Sequence, residues 1–153
     1  MRETRTLAGL SEADCRAAIV SEARSWLGTP YHPEGRIKGV GTDCGMLIAE
    51  VYERAGIVPH VAVPHYAADW NKHQRSEEYL NIILRYGRAI AREQMKPGDV
   101  AMWKFGLTRS HGAIVIAWPN VIHATLRERK VVLCDVARDA GYNVQEPQFY
   151  SFW

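Results

Sequence analysis

The apolar positions of the chain change rhythm near residue 90. Before it they recur at three- and four-residue spacing, and after Met95 they run in short β-rich stretches separated by turns. Ser11 with Asp14 resembles a capping box with Asp in place of Glu. The helix it predicts, Glu12 to Leu27, would turn Ala13, Ala17, Ala18, Val20, Ala23, Trp26 and Leu27 inward and stop at Gly28-Thr29-Pro30. A second helix begins at Cys44, just after Asp43. Its stripe is Leu47, Ile48, Val51, Tyr52 and Ala55, and Gly56 ends it. Between the two, Tyr31 to Thr42 reads as a loop whose glycines (35, 39 and 41) let backbone pass close to the second helix. Two prolines make residues 57–66 an extended connection, and 66–72 a short helical turn. Ser76 is placed to cap a third helix, Glu77 to Tyr86, with Tyr79, Leu80, Ile83 and Leu84 inward.

Lys96-Pro97-Gly98-Asp99 then makes a turn. Strands are predicted at Val100–Phe105, His111–Trp118, Val121–Thr125 and Val131–Val136, with a loop over 106–110 and a hairpin bend around Trp118-Pro119-Asn120. Helices first and a small antiparallel sheet after them indicate an α+β fold. The whole chain, 1–153, is read as one domain with a core of about 12–136. Its aromatic tail, 141–153, is expected to close the sheet edge or to pack on the first helix.

Composition narrows the function. A chain of 153 residues buries roughly 70% of its unfolded surface without a staple. A net charge of +2 on scattered basic residues gives no nucleic-acid footprint. No run reaches transmembrane length, so no membrane partner is expected, and charged residues interrupt any N-terminal signal region. Cys15, Cys44 and Cys134 are far apart and form no CxxC pair, which argues against a disulfide framework. Cys15 and Cys134 read as a small buried residue and a strand residue.

Cys44 is different because of its place. In the first turn of a helix it meets unpaired backbone N–H groups and the positive end of the helix dipole, both of which favour thiolate. Hydrolysis of an amide by a thiol needs a base near neutral pKa and a group that holds the base in the right tautomer. His111 and His123, on consecutive predicted strands, fill those two roles. Parity puts His111 with Ala113 and Val115, and His123 with Val121 and Thr125; register decides whether the two sets share a face. The dipole offers about 0.3–1 kcal/mol, while a histidinium at about 4 Å offers about 4 kcal/mol at an effective dielectric of about 20. The histidine, not the helix, therefore has to activate the thiol. The same three residues could instead ligate zinc, a reading that their unpatterned spacing disfavours. His32, His60, His65 and His73 read as surface or turn residues, with His65 a candidate for the cleft rim.

Asp43-Cys44 at a helix start, preceded by Gly28-Thr29-Pro30-Tyr31 and followed by Lys96-Pro97-Gly98-Asp99-Val100, His111-Gly112-Ala113-Ile114 and Ile122-His123-Ala124, resembles the NlpC/P60 family of papain-like cysteine peptidases. The resemblance extends to the branch found with tail genes of phages and gene transfer agents. It implies a papain-like α+β core with N-terminal helices on a small antiparallel sheet. Cys44 would be the nucleophile, His111 the base and His123 the residue that polarises it, with Tyr31 and Asp43 supporting the oxyanion or substrate. No metal or organic cofactor is implied. The substrate would be the peptide stem of bacterial peptidoglycan, cut between D-glutamate and a diamino acid. The expected setting is a tail-associated protein, made in the cytoplasm and acting on the cell wall in the periplasm, with phage tail proteins as partners. A related wall amidase, or a tail-tip component without turnover, would also fit the pattern. One position departs from the family pattern: Gly45 stands where a serine is usual.

Overall fold

The computed structural model describes residues 10–62, 82–105 and 108–153, with backbone alone for 105 and 108–110. Helix α1, Glu12–Ser25, is capped by Ser11, whose side chain accepts from Asp14 N at 3.1 Å, as its sequence predicts. Its inward face differs from the expected one. Cys15, Arg16, Ile19 and Ala23 are buried, with Trp26 at the C-cap, while Ala13, Ala17 and Leu27 are exposed. The helix is rotated because Arg16 is held inward. Its guanidinium donates to Asp99 Oδ1 (2.8 Å), Pro97 O (3.0 Å) and Ser151 Oγ (3.2 Å), and lies over the Trp153 ring. An apolar-periodicity argument passes over a buried arginine.

Helix α2, Cys44–Arg54, buries Leu47, Ile48, Val51 and Tyr52, with Ala55 just beyond it, which is the predicted stripe. The stretch before it is more ordered than a loop: β1 (Arg36–Ile37) and β2 (Gly41–Thr42) pair as a two-stranded hairpin. The close passage is within the hairpin and not against the helix: a Cβ on Gly35 would sit 2.6 Å from the carbonyl carbon of Gly41. Residues 82–86 are helical, with Ile83 buried and Leu84 exposed. The rest of the third predicted helix, its Ser76 cap and the 66–72 turn lie outside the described residues, as do His65 and His73.

The sheet is antiparallel and six-stranded. Its strands are β3 (Arg88–Ile90), β4 (Val100–Phe105), β5 (Thr108–Ala117), β6 (Asn120–Thr125), β7 (Lys130–Asp135) and β8 (Gln148–Ser151), in the order β3-β8-β4-β5-β6-β7. Strand β5 starts at Thr108, inside the predicted 106–110 loop. The tail does more than close an edge: β8 pairs with both β3 and β4 and so is an interior strand, and β3, which has no clear sequence signal, forms the edge. The core therefore extends past residue 136 to Phe152.

Strand alternation divides the buried residues into two layers. Val100, Met102, Ile114, Ile116, Ile122 and Ala124 pack against α1 and α2. Ala101, Trp103, Ala113, Val115, Val121 and Phe149 face the other way, under Val136 and Tyr142. Tyr52 of α2 donates its hydroxyl to Gly98 O, so the 96–99 turn ties both helices to the start of β4. Among the described residues no helix is long and apolar enough to cross a membrane.

Candidate active site

Asp43 sets the position of Cys44. It is buried and caps α2, with Oδ1 accepting from Met46 N at 2.9 Å and Oδ2 from Glu34 N at 2.8 Å. Both carboxylate oxygens thus hold backbone, one in the helix and one in the preceding loop. Cys44 follows as the first residue of the helix and is half-buried. Tyr31 is brought alongside by backbone pairing. It forms a parallel bridge with Thr42, its N–H donates to Arg129 O, and its side chain packs on the main core.

On the strand side, a Cβ on Gly112 would lie 2.7 Å from Ile48 Cδ1, the end of a flexible side chain, so glycine at 112 leaves Ile48 its place between α2 and β5. The close packing brings the beginning of β5 to the start of α2, and Cys44 and Gly112 border the same cavity. His111 immediately precedes Gly112.

Register then decides the histidines. Ile114 pairs with Ile122 and Val115 with Val121, after which the ladder shifts toward the bend. This pairing puts His111 and His123 on one face, and His111 Nε2 meets His123 Nδ1 at 2.8 Å with the rings 69° apart. Nε2 is thus engaged with His123, and Nδ1 is the other ring nitrogen of His111. The close contact also weighs against zinc. A tetrahedral ion bound to both nitrogens would hold them about 3.3 Å apart, and a proton would have no place between them.

Burial lowers both histidines, His111 to about 3 with help from His123, and His123 to about 4. For His123 the Asp139 carboxylate pulls upward and Arg127 downward. Both rings are therefore neutral at rest near pH 7. Burial thus works against the standing imidazolium that the charge argument from sequence uses.

The neutral pair makes a prediction about stability. Free histidine titrates near 6.5, so the unfolded chain takes up protons that the folded chain refuses. Stability is fully present above about pH 6.5 and is lost as pH falls toward 4 and then 3, by at most about 1.4 kcal/mol per pH unit for each ring. The urea midpoint should therefore drop between pH 7.5 and pH 5. An unchanged midpoint would contradict burial of a neutral pair.

Two residues of the site escaped the sequence reading. Tyr142 stacks at a tilt on both imidazoles, with centroids 5.1 Å from His111 and 5.0 Å from His123, and meets Trp103 edge-on at 5.4 Å. Its carbonyl accepts from Trp103 Nε1 at 3.0 Å. Burial pushes its phenol up to about 12, Arg127 opposes the rise, and Asp139, Cys44 and Cys134 add to it. Asp139, paired with Arg127 and accepting from Gly141 N at 2.8 Å, is held at about 2 and stays ionised beside His123. The half-buried Cys134 lies next to it, Sγ to Oδ2 3.7 Å, and burial drives that thiol up to about 11. The turn chemistry of Asp135, Asp139, Gly141 and Asn143 after β7 was the available signal. Among the described histidines, His32 and His60 are exposed, as expected, and His60 pairs with Glu53.

A model of the NlpC/P60 family matches residues 28–146, which run from Tyr31 and the Cys44 helix through Tyr142 and leave out α1 and β8. The chain belongs to the NlpC/P60 family. Among its relatives is the gamma-DL-glutamyl hydrolase of Bacillus subtilis (strain 168), 31% identical over 125 residues, which are 78% of this chain and 26% of that protein. The chain thus spans about a quarter of that curated relative's length. Among solved structures, the NlpC/p60 domain of the peptidoglycan hydrolase SagA superposes with a TM-score of 0.59 at 28% identity, over 88% of this chain and 96% of the other. RipD of Mycobacterium tuberculosis, described as a non-catalytic NlpC/p60 domain protein adapted to peptidoglycan binding, shares the fold with a TM-score of 0.59 at 18% identity, over 91% of this chain and 98% of that one. The family therefore includes members with and without turnover, and catalysis has to be argued from this chain's own residues.

Proposed function

We propose that this NlpC/P60 domain is a cysteine peptidase of peptidoglycan stem peptides, cutting between D-glutamate and a diamino acid. The observation that carries the reading is the His111–His123 hydrogen bond on the strand packed against the start of the Cys44 helix. The glutamyl specificity in the name of the Bacillus subtilis relative supports the choice of bond.

In this mechanism His111 Nδ1 takes the Cys44 thiol proton, and the thiolate attacks the scissile carbonyl carbon. The carbonyl oxygen, now negative, is met by first-turn backbone N–H of α2 and by the Tyr31 hydroxyl. His111 returns the proton to the amine as the C–N bond breaks, which leaves a thioester on Cys44. Water then gives a proton to His111 and attacks the thioester. The carboxyl product leaves and the thiol is restored.

His123 acts through His111. When His111 becomes an imidazolium, its Nε2–H donates to His123 Nδ1, and a bond from a charged donor is stronger than one from a neutral donor. The gain exists only while the charge exists, which is the requirement for catalysis. Asp139 adds a negative potential behind the pair.

The tail-associated setting is part of the proposal and rests on the motif resemblance. Co-sedimentation of the protein with purified tails would test it. The bond itself is tested by digesting purified peptidoglycan and analysing the products by mass spectrometry. The peptidase leaves a free amine on the diamino acid, whereas an amidase releases whole stems that begin with alanine. A non-catalytic wall binder, as described for RipD, would bind the sacculus and release nothing.

A further inference from the structure

The hydrogen bond between His111 Nε2 and His123 Nδ1 can be made in two neutral ways, which differ in the ring that supplies the proton. In one, His123 Nδ1–H donates to His111 Nε2. The proton of His111 is then on its Nδ1, and that nitrogen cannot accept another from a thiol. In the other, His111 Nε2–H donates to His123 Nδ1. His111 Nδ1 is then a bare lone pair, and the proton of His123 is on its Nε2. Only the second arrangement makes His111 a base, so the tautomer of His123 decides whether Cys44 can be activated.

The group that can select between them lies on the other side of His123. Strand order β5-β6-β7 puts His123 between the strand that carries His111 and the strand that carries Cys134. Cys134 pairs with Val121, two residues before His123, and its Sγ donates to Asp139 Oδ2 at 3.7 Å. Asp139 is built into place. Its carboxylate accepts from both terminal nitrogens of Arg127 and from Gly141 N, and its carbonyl accepts from Tyr142 N and Asn143 N, each at 2.9 Å. His123 is fully buried, and among the described residues nothing hydrogen-bonds its Nε2. A ring nitrogen so placed takes the protonation that the surrounding charges favour. Asp139 and Arg127 both act on His123, the carboxylate more strongly than the guanidinium. Glu128 lies against Arg127, and Asp135 against Arg138. Cys134 and Tyr142 are neutral near pH 7, because burial drives them to about 11 and about 12. The balance of fixed charge at His123 is negative.

We propose that Asp139 is a positioning residue for the reaction: its fixed negative charge behind His123 holds the proton of that ring on Nε2, which leaves His111 Nδ1 bare to receive the Cys44 proton. The proposal rests on the peptidase reading for the identity of the reaction, but the tautomers are a property of the resting protein. Asp139 acts on Cys44 only through the two rings. Arg127 anchors the carboxylate and keeps it ionised, and its own charge weakens the negative field at His123 without reversing it.

The test reads the tautomers directly, by long-range proton–nitrogen NMR correlation on the full chain with isotope-labelled histidine. Near neutral pH both rings are uncharged. Wild type should show a protonated Nε2 and a bare Nδ1 in both His111 and His123. A wild-type His123 protonated on Nδ1 overturns the proposal, whatever the variants do. Asp139→Asn keeps the side-chain size and removes the charge. It should shift the ratio of the two His123 forms about tenfold toward Nδ1–H, the change that one pKa unit of differential interaction produces, and lower kcat with KM unchanged. Asp139→Glu, which keeps the charge, should restore both. Arg127→Met breaks the same ion pair but leaves the anion, so it should keep the proton on Nε2. A purely structural role for the pair would make Asp139→Asn and Arg127→Met alike; that result overturns the proposal, as does an Asp139→Asn spectrum like wild type. If the tautomers follow the prediction but wild type does not cut peptidoglycan, the peptidase reading fails and the role of Asp139 in the tautomers stands. If wild type cuts and the tautomers do not follow, the role of Asp139 alone fails.

Discussion

His111→Ala is expected to lower kcat/KM for stem-peptide hydrolysis by about 10²–10⁴-fold, the range associated with loss of a positioned acid–base group. His111 is buried on β5 beside the start of α2, with its Nε2 bound to His123. Without it the thiol proton has no acceptor and the departing amine no donor, so both halves of the reaction suffer. His123→Ala should cost less, roughly 10- to 150-fold, because it deletes one hydrogen bond to a transiently charged ring, worth about 1.5–3 kcal/mol. His123→Asn, which offers an acceptor oxygen, should recover part of kcat. Steady-state kinetics on a defined stem peptide, with Tm measured alongside, checks both. Equal losses in the two alanine variants would contradict the order base, then polariser.

Arg16→Met should cause the largest loss of stability, about 3–5 kcal/mol, because it strands a buried carboxylate. Asp99 is fully buried, with Arg16 on Oδ1 at 2.8 Å and Lys96 N on Oδ2 at 2.9 Å. Methionine keeps the length and the apolar stem but removes the charge that faces Asp99. For a chain of this size the change corresponds to a fall in Tm of roughly 6–20 °C. Adding Asp99→Asn should return part of it, since the stranded charge is then gone. The loss reaches the candidate site as well: the same 96–99 turn accepts the Tyr52 hydroxyl of α2, so loosening it loosens the helix that carries Cys44. Urea denaturation of the single and double variants checks this; a single variant within 1 kcal/mol of wild type would contradict a buried, mutually dependent pair.

Those two predictions also mark where the sequence was readable and where it was not. The α2 stripe and the alternation of β4, β5 and β6 follow from apolar periodicity, and the structure matches them. Local pattern predicts local structure well. The face of α1 was misread because Arg16 is buried by partners about 80 and 135 residues away, Asp99 and Ser151, which no helical periodicity reports. The tail does contact the first helix, at Arg16, as one of the two expectations has it, but the interior position of β8 is not legible because its four residues carry no sign of the two strands that flank them. Pattern and chemistry name Cys44, His111 and His123, but the meeting of the two histidines depends on register. Parity left two possible faces for the histidines, and the Val115–Val121 pairing selects the shared one. Tyr142 and Asp139 went unseen because their roles arise from a turn that folds back over the sheet, not from any spacing in the chain.

The resting charge state is a further lesson. Proximity alone suggests that a histidine beside a cysteine is an imidazolium, but burial outweighs it here, and both rings are neutral at rest. In the mechanism proposed above, activation of Cys44 is then a proton transfer coupled to the His111–His123 bond, with the helix dipole adding a smaller share.

The central claim is that Cys44 is the nucleophile of an amide hydrolase. It is tested most directly by incubating wild type and Cys44→Ala, matched for Tm, with the same purified peptidoglycan and counting newly released amines. The account predicts steady release by wild type and none above background from Cys44→Ala; equal release by both would contradict it.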